Sequence, residues 1–231
     1  MDKPDSVATL MQTRPTEGIA ASPVSPSVVE DILAVARRAP SGVNTQPWNV
    51  VVLRDQARAG LVAQAVAAVP GLVQDAAQQA AFWNQFNQHP GTSHWPALDP
   101  AHAGDAWLSA AMARINGDPA RARRELERYF RFFDAPVGLV FTISRSLGVG
   151  SVLDYGMFLQ NITLAARARG ICAVLQTGWR GFAGTVLRHI DAPQDMLLVA
   201  GMALGYPDPA QPAIEATVHV PPVESFTTWH A

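Results

Sequence analysis

The run Pro40-Ser41-Gly42-Val43-Asn44-Thr45-Gln46-Pro47-Trp48 concentrates polar groups that could hold a ligand. Ser41, Asn44 and Gln46 offer both donors and acceptors, and Gly42 permits close approach to the backbone. The run falls between the end of a predicted helix and a predicted strand. Its backbone is therefore held at both ends while its polar groups face a crevice. A planar heterocycle with donors and acceptors alternating along its rim needs such a lining. On residue types alone, an ordinary turn rich in Pro, Gly and Asn is the better explanation.

Other chemistries find less support. Gly148-Val149-Gly150-Ser151 precedes a predicted helix whose N-terminus could face an anion. A dinucleotide fingerprint wants a third glycine where Leu153 stands, so this reads as a structural turn. The histidines (His89, His94, His102, His189, His219 and His230) show no paired spacing on a predicted helix, which argues against a metal. Gly150-Ser151 is not followed by the x-Gly of a nucleophile elbow. Cys172 is the single cysteine, excluding an internal disulfide or a thiolate cluster, and reads as the inert start of a buried strand. Asp154 and Asn161 share one otherwise apolar helix face. Buried polar groups need partners, so they are expected to tie that helix to a neighbour or to a second copy of the chain.

The elements that must position these residues follow from periodicity and punctuation. Ser25 can cap a helix with Pro26 in its first turn, with Val29, Ile32, Leu33 and Ala36 at helical spacing and Pro40 as its stop. Trp48–Leu53 reads as a buried strand, and Asp55 opens a second helix expected to end before Pro70-Gly71. Helices are predicted around 75–88, from Gly104 and from Asp118-Pro119, with a loop at His89–His102. Strands are predicted at Val137–Ser144, Ile171–Leu175 and Met196–Ala203. A long helix, Ser151–Arg169, closes on Gly170, and a short one lies near Gly184–Ile190.

The 231 residues are 48% hydrophobic and 16% charged, enough to bury a real core, with some surface left for a partner subunit. A net charge of −2 gives no case for nucleic acid or an anionic membrane. Arg121, Arg123, Arg124, Arg128 and Arg131 alternate with Glu125 and Glu127 and read as a solvated helix face. The start, from Met1 to Pro15, lacks the apolar run of a signal peptide, and no stretch reaches membrane-spanning length, so a cytoplasmic protein is expected. One domain is expected over 1–231, with an N-terminal arm at 1–25 and a C-terminal tail at 206–231. The tail carries Phe226 and Trp229, whose rings need a surface that a second subunit would supply.

The run Pro40–Trp48 resembles the PS-x-x-N-x-QPW signature of the FMN-dependent nitroreductase family. Two further stretches are similar to the subgroup that includes 4-nitrobenzoate reductases: Phe132–Val137 leading through Gly148–Ser151 into Asp154–Asn161, and Gly201–Pro207. The resemblance covers nearly the whole chain, more weakly over 72–131. It implies an α+β fold with a central, mostly antiparallel sheet flanked by helices, in an intertwined homodimer. It also implies FMN as cofactor, with Pro40, Ser41, Gly42 and Asn44 along the ring and Arg14 and Thr16 on the phosphate. Gln176, Thr177 and Gly178 would lie at the reactive edge, where a backbone N–H at position 176 or 177 bonds flavin N5. Trp179 is either a wall of the substrate pocket or core packing. The implied reaction is ping-pong: hydride from NADPH or NADH to the flavin, then to a nitroaromatic or quinone-like acceptor. No acid–base side chain is required, because the cofactor carries the chemistry.

The chain departs from the pattern at its phosphate contacts. The family's R-R-S-x-R-x-F stretch corresponds to Thr13–Ile19, which puts Thr13, Pro15 and Glu17 at the anchoring positions. A shift by one residue restores Arg14 and Thr16 but puts Gly18 where the last base belongs. A second phosphate-contacting Arg is replaced by Val220. Charge-assisted contacts to phosphate exceed neutral ones in strength, and His219 and Arg180 are the cations expected to compensate. The alternative is a family member with weakened or lost FMN binding that takes another small molecule or serves a specialised biosynthetic step. A more remote possibility is a non-catalytic binding protein.

Overall fold

The computed structural model describes residue 11 and residues 18–88, 106–212 and 221–230. β1 (Gly18–Ile19) leads into α1 (Pro26–Ala36), where the Ser25 hydroxyl accepts the Val28 N–H and Pro26 opens the first turn. The helix stops at Ala36, ahead of Pro40. There the N–H groups of Arg38 and Ala39 turn to carbonyls three residues back.

Strand and helix ends shift by a few residues from expectation, and two elements depart from it in burial or extent. β2 (Asn49–Leu53) is an edge strand, paired with β3 alone, and only Leu53 in it is buried. A β-branched run cannot distinguish a central strand from an edge that something else may cover. α2 (Asp55–Gln74) continues through Pro70 to Gln74. Proline in the last turn removes one hydrogen bond, and burial of Leu72 and Val73 offsets that loss. Asp75 then serves two helices. Its N–H closes α2 on Gly71 O, and its carboxylate caps α3 (Ala76–Phe86) by accepting from Ala77 N at 2.8 Å and Gln78 N at 3.3 Å.

α4 (Ala106–Ala113) precedes α5 (Pro119–Phe130), which Asp118 caps through the Arg121 N–H at 2.9 Å. The pairs Arg121–Glu125 and Arg123–Glu127 lace the solvated face of α5, while Ala122, Leu126, Tyr129 and Phe130 are buried beneath it. β3 (Val137–Ser144), α6 (Val149–Arg167), β4 (Cys172–Gln176), α7 (Ala183–His189), β5 (Met196–Gly205) and β6 (Pro207–Asp208) complete the order. Gly170, at φ +67, reverses the chain after α6 as expected.

The main sheet has order β2-β3-β5-β4, with every pairing antiparallel, and β1 pairs with β6 in a separate two-stranded ladder. Side chains alternate across the main sheet. Leu139, Phe141, Met202 and Leu204 face a core with α1 and α6; Val140, Val174 and Ala203 face a second core with α2, α3, α5 and α7. The result is the expected α+β arrangement, a sheet between two helical layers. Among the described residues, no helix is long and apolar enough to cross a membrane.

Candidate functional site

Residues 40–48 form a rigid loop with an exposed middle. Ala39 and Pro47 are buried, Trp48 stacks on Phe158 of α6 at 4.6 Å, and Pro40 and Gly42–Gln46 are exposed. Gly42 N donates to Asp154 Oδ2 at 3.1 Å, so the buried carboxylate of α6 pins the loop. Ser41 Oγ accepts from Gln46 N at 2.9 Å, and Gln46 Nε2 donates to Asn44 Oδ1 at 3.1 Å. Val43, Asn44 and Gln46 all adopt positive φ, at 47°, 59° and 48°. For a β-branched residue such as Val43 this conformation is costly and persists only where surrounding contacts over-determine it. A loop strained and tethered in this way presents its remaining donors and acceptors in one fixed pattern.

The helix beneath is itself wired to the sheet. Tyr155 OH lies 2.9 Å from Asn49 O and 3.1 Å from Thr142 O, at the entry to β2 and beside the β3–β5 bulge. Burial holds its phenol well above the ordinary value. Asn161 Nδ2 reaches Ala36 O at 3.5 Å. Asp154 and Asn161 thus tie α6 to its neighbours, as their spacing suggested.

At the end of β4 the chain turns inward. Gln176 is 0% exposed, and its Nε2 donates to Tyr129 O at 2.6 Å. Gly178 N donates to Tyr129 OH at 2.8 Å, and a Cβ on Gly178 would lie 2.9 Å from that ring. Gly178 is therefore a close-packing residue whose N–H is already engaged. Trp179 is 1% exposed, stacks on Phe132 at 4.5 Å and donates to Gln176 Oε1 at 3.4 Å. Of the two readings of Trp179, its burial supports core packing over a pocket wall, which aromatic size and a neighbouring hydrogen-bond acceptor favour. Tyr129, the hub of this network, was not singled out from sequence; no local pattern marks a helix tyrosine that meets a strand end so far along the chain.

A groove of about 360 Å³ runs between α6 and β4, lined by Gly156, Gln160, Thr163, Arg167 and Leu175, with Met11 beside them. That volume falls in the range of small-molecule sites. The loop at Pro40–Asn44 and the turn at Gln176–Gly178 are not among its walls. α6 carries the loop near its start through Asp154 and borders the groove from Gly156 to Arg167.

Arg14, Thr16, Glu17, His219 and Val220 lie outside the described residues. β1 pairs with β6, with Gly18 opposite Asp208. A Cβ on Gly18 would overlap the Gln211 side chain, so position 18 has no room for a base. The expected compensation by Arg180 is corrected. Its buried guanidinium donates to Phe86 O and lies 4.4 Å from the Phe86 ring, and burial lowers its pKa to about 10. The groups that fit a flavin are the neutral edge formed by Ser41, Gly42 and Asn44, whereas no phosphate cradle is formed by the described residues around Gly18.

The sequence model of the nitroreductase family matches residues 20–206. A nitrobenzene nitroreductase of Ectopseudomonas oleovorans is 36% identical over 216 residues, covering 94% of this chain and 92% of that protein. A 4-nitrobenzoate reductase of Pseudomonas putida is 33% identical over 212 residues, covering 88% and 86%. Among solved structures, an FMN- and NADPH-dependent nitroreductase of Sphigopyxis sp. strain HMH shares the fold with a TM-score of 0.77 at 24% identity, covering 98% and 99% of the two chains. An FMN-dependent nitroreductase of Mycobacterium smegmatis in complex with NADPH gives a TM-score of 0.79 at 20% identity, over the whole of both chains.

Proposed function

Because the chain belongs to the nitroreductase family, we propose that it is an FMN-dependent NAD(P)H oxidoreductase that reduces nitroaromatic or quinone-like acceptors by a ping-pong cycle. The observation that carries this reading is the loop at Pro40–Trp48, strained into left-handed backbone and pinned by Asp154 with its polar edge outward. Pro40, Ser41, Gly42 and Asn44 bind along the ring, and the backbone at Gln176 and Thr177 supplies the donor at its reactive edge. Arg14 and Thr16 contact the phosphate. When bound, FMN supplies a two-electron relay between a reduced nicotinamide and the acceptor, which NADPH or NADH can serve.

The working form is a homodimer in the cytoplasm. Val149, Leu153 and Met157 form an exposed apolar stripe on α6 next to Leu175, with Leu153 71% exposed. Phe226 and Trp229 of the tail are 69% and 89% exposed, a state large rings seldom keep without a partner surface. In this reading the tail at 206–231 packs on the second subunit, and the loop of one copy meets the groove of the other.

The test is direct. Purified protein titrated with FMN should quench flavin fluorescence at one equivalent per chain and melt at higher temperature. The complex should oxidise NADPH when a nitroaromatic is added. Protein that is colourless, unmoved by FMN and inactive with FMN and NADPH would overturn the proposal. Such an outcome would favour the second reading, a family member with lost FMN binding that takes another small molecule. The steric closure of position 18 and the commitment of Arg180 to Phe86 are what give that reading weight.

A further inference from the structure

Arg145 and Arg188 line an open cavity of about 420 Å³, and none of the residues assigned to the flavin is among its walls. Leu187 and Met196 supply apolar wall, and Asp191 and Gln194 add polar groups beside the two arginines. Backbone bonds fix this framework. α7 closes at Asp191, whose left-handed φ of 49° lets Ala192 N return to Leu187 O at 2.9 Å. Met196 N donates to Pro193 O at 3.1 Å, and Arg145 N donates to Asp195 O at 2.7 Å, which joins the end of β3 to the turn before β5. The two arginines therefore stand on different elements whose spacing is set. Their charges are uncommitted. Arg114, Arg121, Arg123 and Arg131 each meet a carboxylate within 3.0 Å. The guanidinium groups of Arg145 and Arg188 have no ion pair or hydrogen bond among the described residues, and the Asp195 carboxylate accepts instead from Ser144 Oγ at 3.1 Å.

We infer that this cavity binds the phosphate monoester of a small hydroxylated molecule, with Arg145 and Arg188 on the phosphoryl oxygens. A guanidinium is a planar fork of N–H donors with no acceptor, matched to carboxylate or phosphate. One fork suits the two oxygens of a carboxylate. Two forks from separate elements are met more fully by the three oxygens of a phosphoryl group. Asp191 brings a negative charge to the same cavity, which disfavours a bare anion. Its carboxylate and the Gln194 carbonyl are acceptors that hydroxyl groups on the body of the ligand can satisfy. The volume exceeds what one inorganic ion fills and lies in the range of small-molecule sites. The site is separate from the flavin reading and stands without it.

Ribose 5-phosphate is the probe, titrated into isotope-labelled protein with and without excess FMN and followed by NMR. The amides of Ala192, Gln194, Asp195 and Met196 should shift and saturate in both conditions. Ribose, which lacks the phosphate, and gluconate, which carries a carboxylate in its place, should bind at least roughly tenfold more weakly. Arg145→Gln and Arg188→Gln should each raise the Kd roughly tenfold, the effect of losing one charge-assisted contact. Both side chains are exposed, so the variants should fold and keep the parent's NADPH oxidation. Absence of a saturable shift in the unsubstituted protein would overturn the inference, as would unchanged affinity in either variant. Gluconate binding as tightly as ribose 5-phosphate would overturn the phosphoryl assignment. A response abolished by FMN would place the phosphate in the cofactor's own site and overturn the inference too.

Discussion

At the scale of single residues, two buried polar side chains decide the shape of the site. Asp154 accepts the Gly42 N–H from a position where water is largely excluded, and hydrogen bonds to charged groups contribute about 1.5–3 kcal/mol. Asp154→Ala should therefore weaken FMN binding by roughly ten- to a hundredfold, measured by flavin fluorescence titration, while the circular dichroism spectrum stays unchanged. Tyr155→Phe removes the buried hydroxyl that donates its one proton between the carbonyls of Asn49 and Thr142. It should cost about 1–3 kcal/mol, which for a chain of this length lowers the melting midpoint by roughly 3–10 °C in differential scanning calorimetry. Much of this scale was legible in the sequence. Asp154 and Asn161 announced themselves as polar residues on an apolar helix face, and the Pro40–Trp48 run by its chemistry. Trp179, Arg180 and Tyr129 did not. Whether an aromatic ring or a cation near a strand end faces a ligand or the core depends on residues more than forty positions away, and no local pattern encodes that.

At the scale of elements, caps and punctuation were read well where the physics is local. Ser25, Asp118 and Gly170 end or begin helices as their chemistry dictates, because a cap satisfies backbone groups within its own turn. Pro70 misled because its cost is fixed locally, whereas the burial of Leu72 and Val73 that outweighs it is tertiary. β2 misled for the related reason that apolar strands look alike at the centre and at an edge. Asp75 offers a pH test of a cap. Its hydrogen bonds from Gln78 and the Ala77 N–H hold the carboxylate below its usual pKa. The folded pKa is thus the lower one, and the cap's contribution is complete above the unfolded carboxylate value and disappears as pH falls through the folded one. Amide exchange at Ala77 and Gln78, corrected for intrinsic rates, should rise on going from pH 6 to pH 3. Asp75→Asn, which keeps an acceptor but does not titrate, should abolish that rise.

At the scale of the whole molecule, the fold class and the order of the helices and main-sheet strands followed from sequence, whereas β1 and β6 lie in segments expected as arm and tail. The pairing order did not, because an antiparallel sheet of order β2-β3-β5-β4 joins strands that no periodicity relates. The proposed dimer belongs here too. Leu153→Glu puts a charge in the middle of the apolar stripe on α6; in sedimentation velocity the variant should run as a monomer, with FMN affinity reduced alongside. The sheet order has a consequence for biosynthesis. β2 leaves the ribosome early, its neighbour β3 begins only at Val137, and the strand that joins β3 to β4 is not finished until Gly205. Pairings of such long sequence separation form late and leave apolar helix faces uncovered meanwhile. A nascent chain stalled before Val137 holds helices with no sheet to cover. Its safe passage through translation therefore depends on how quickly the last third of the message is read, and on what shields the chain until then.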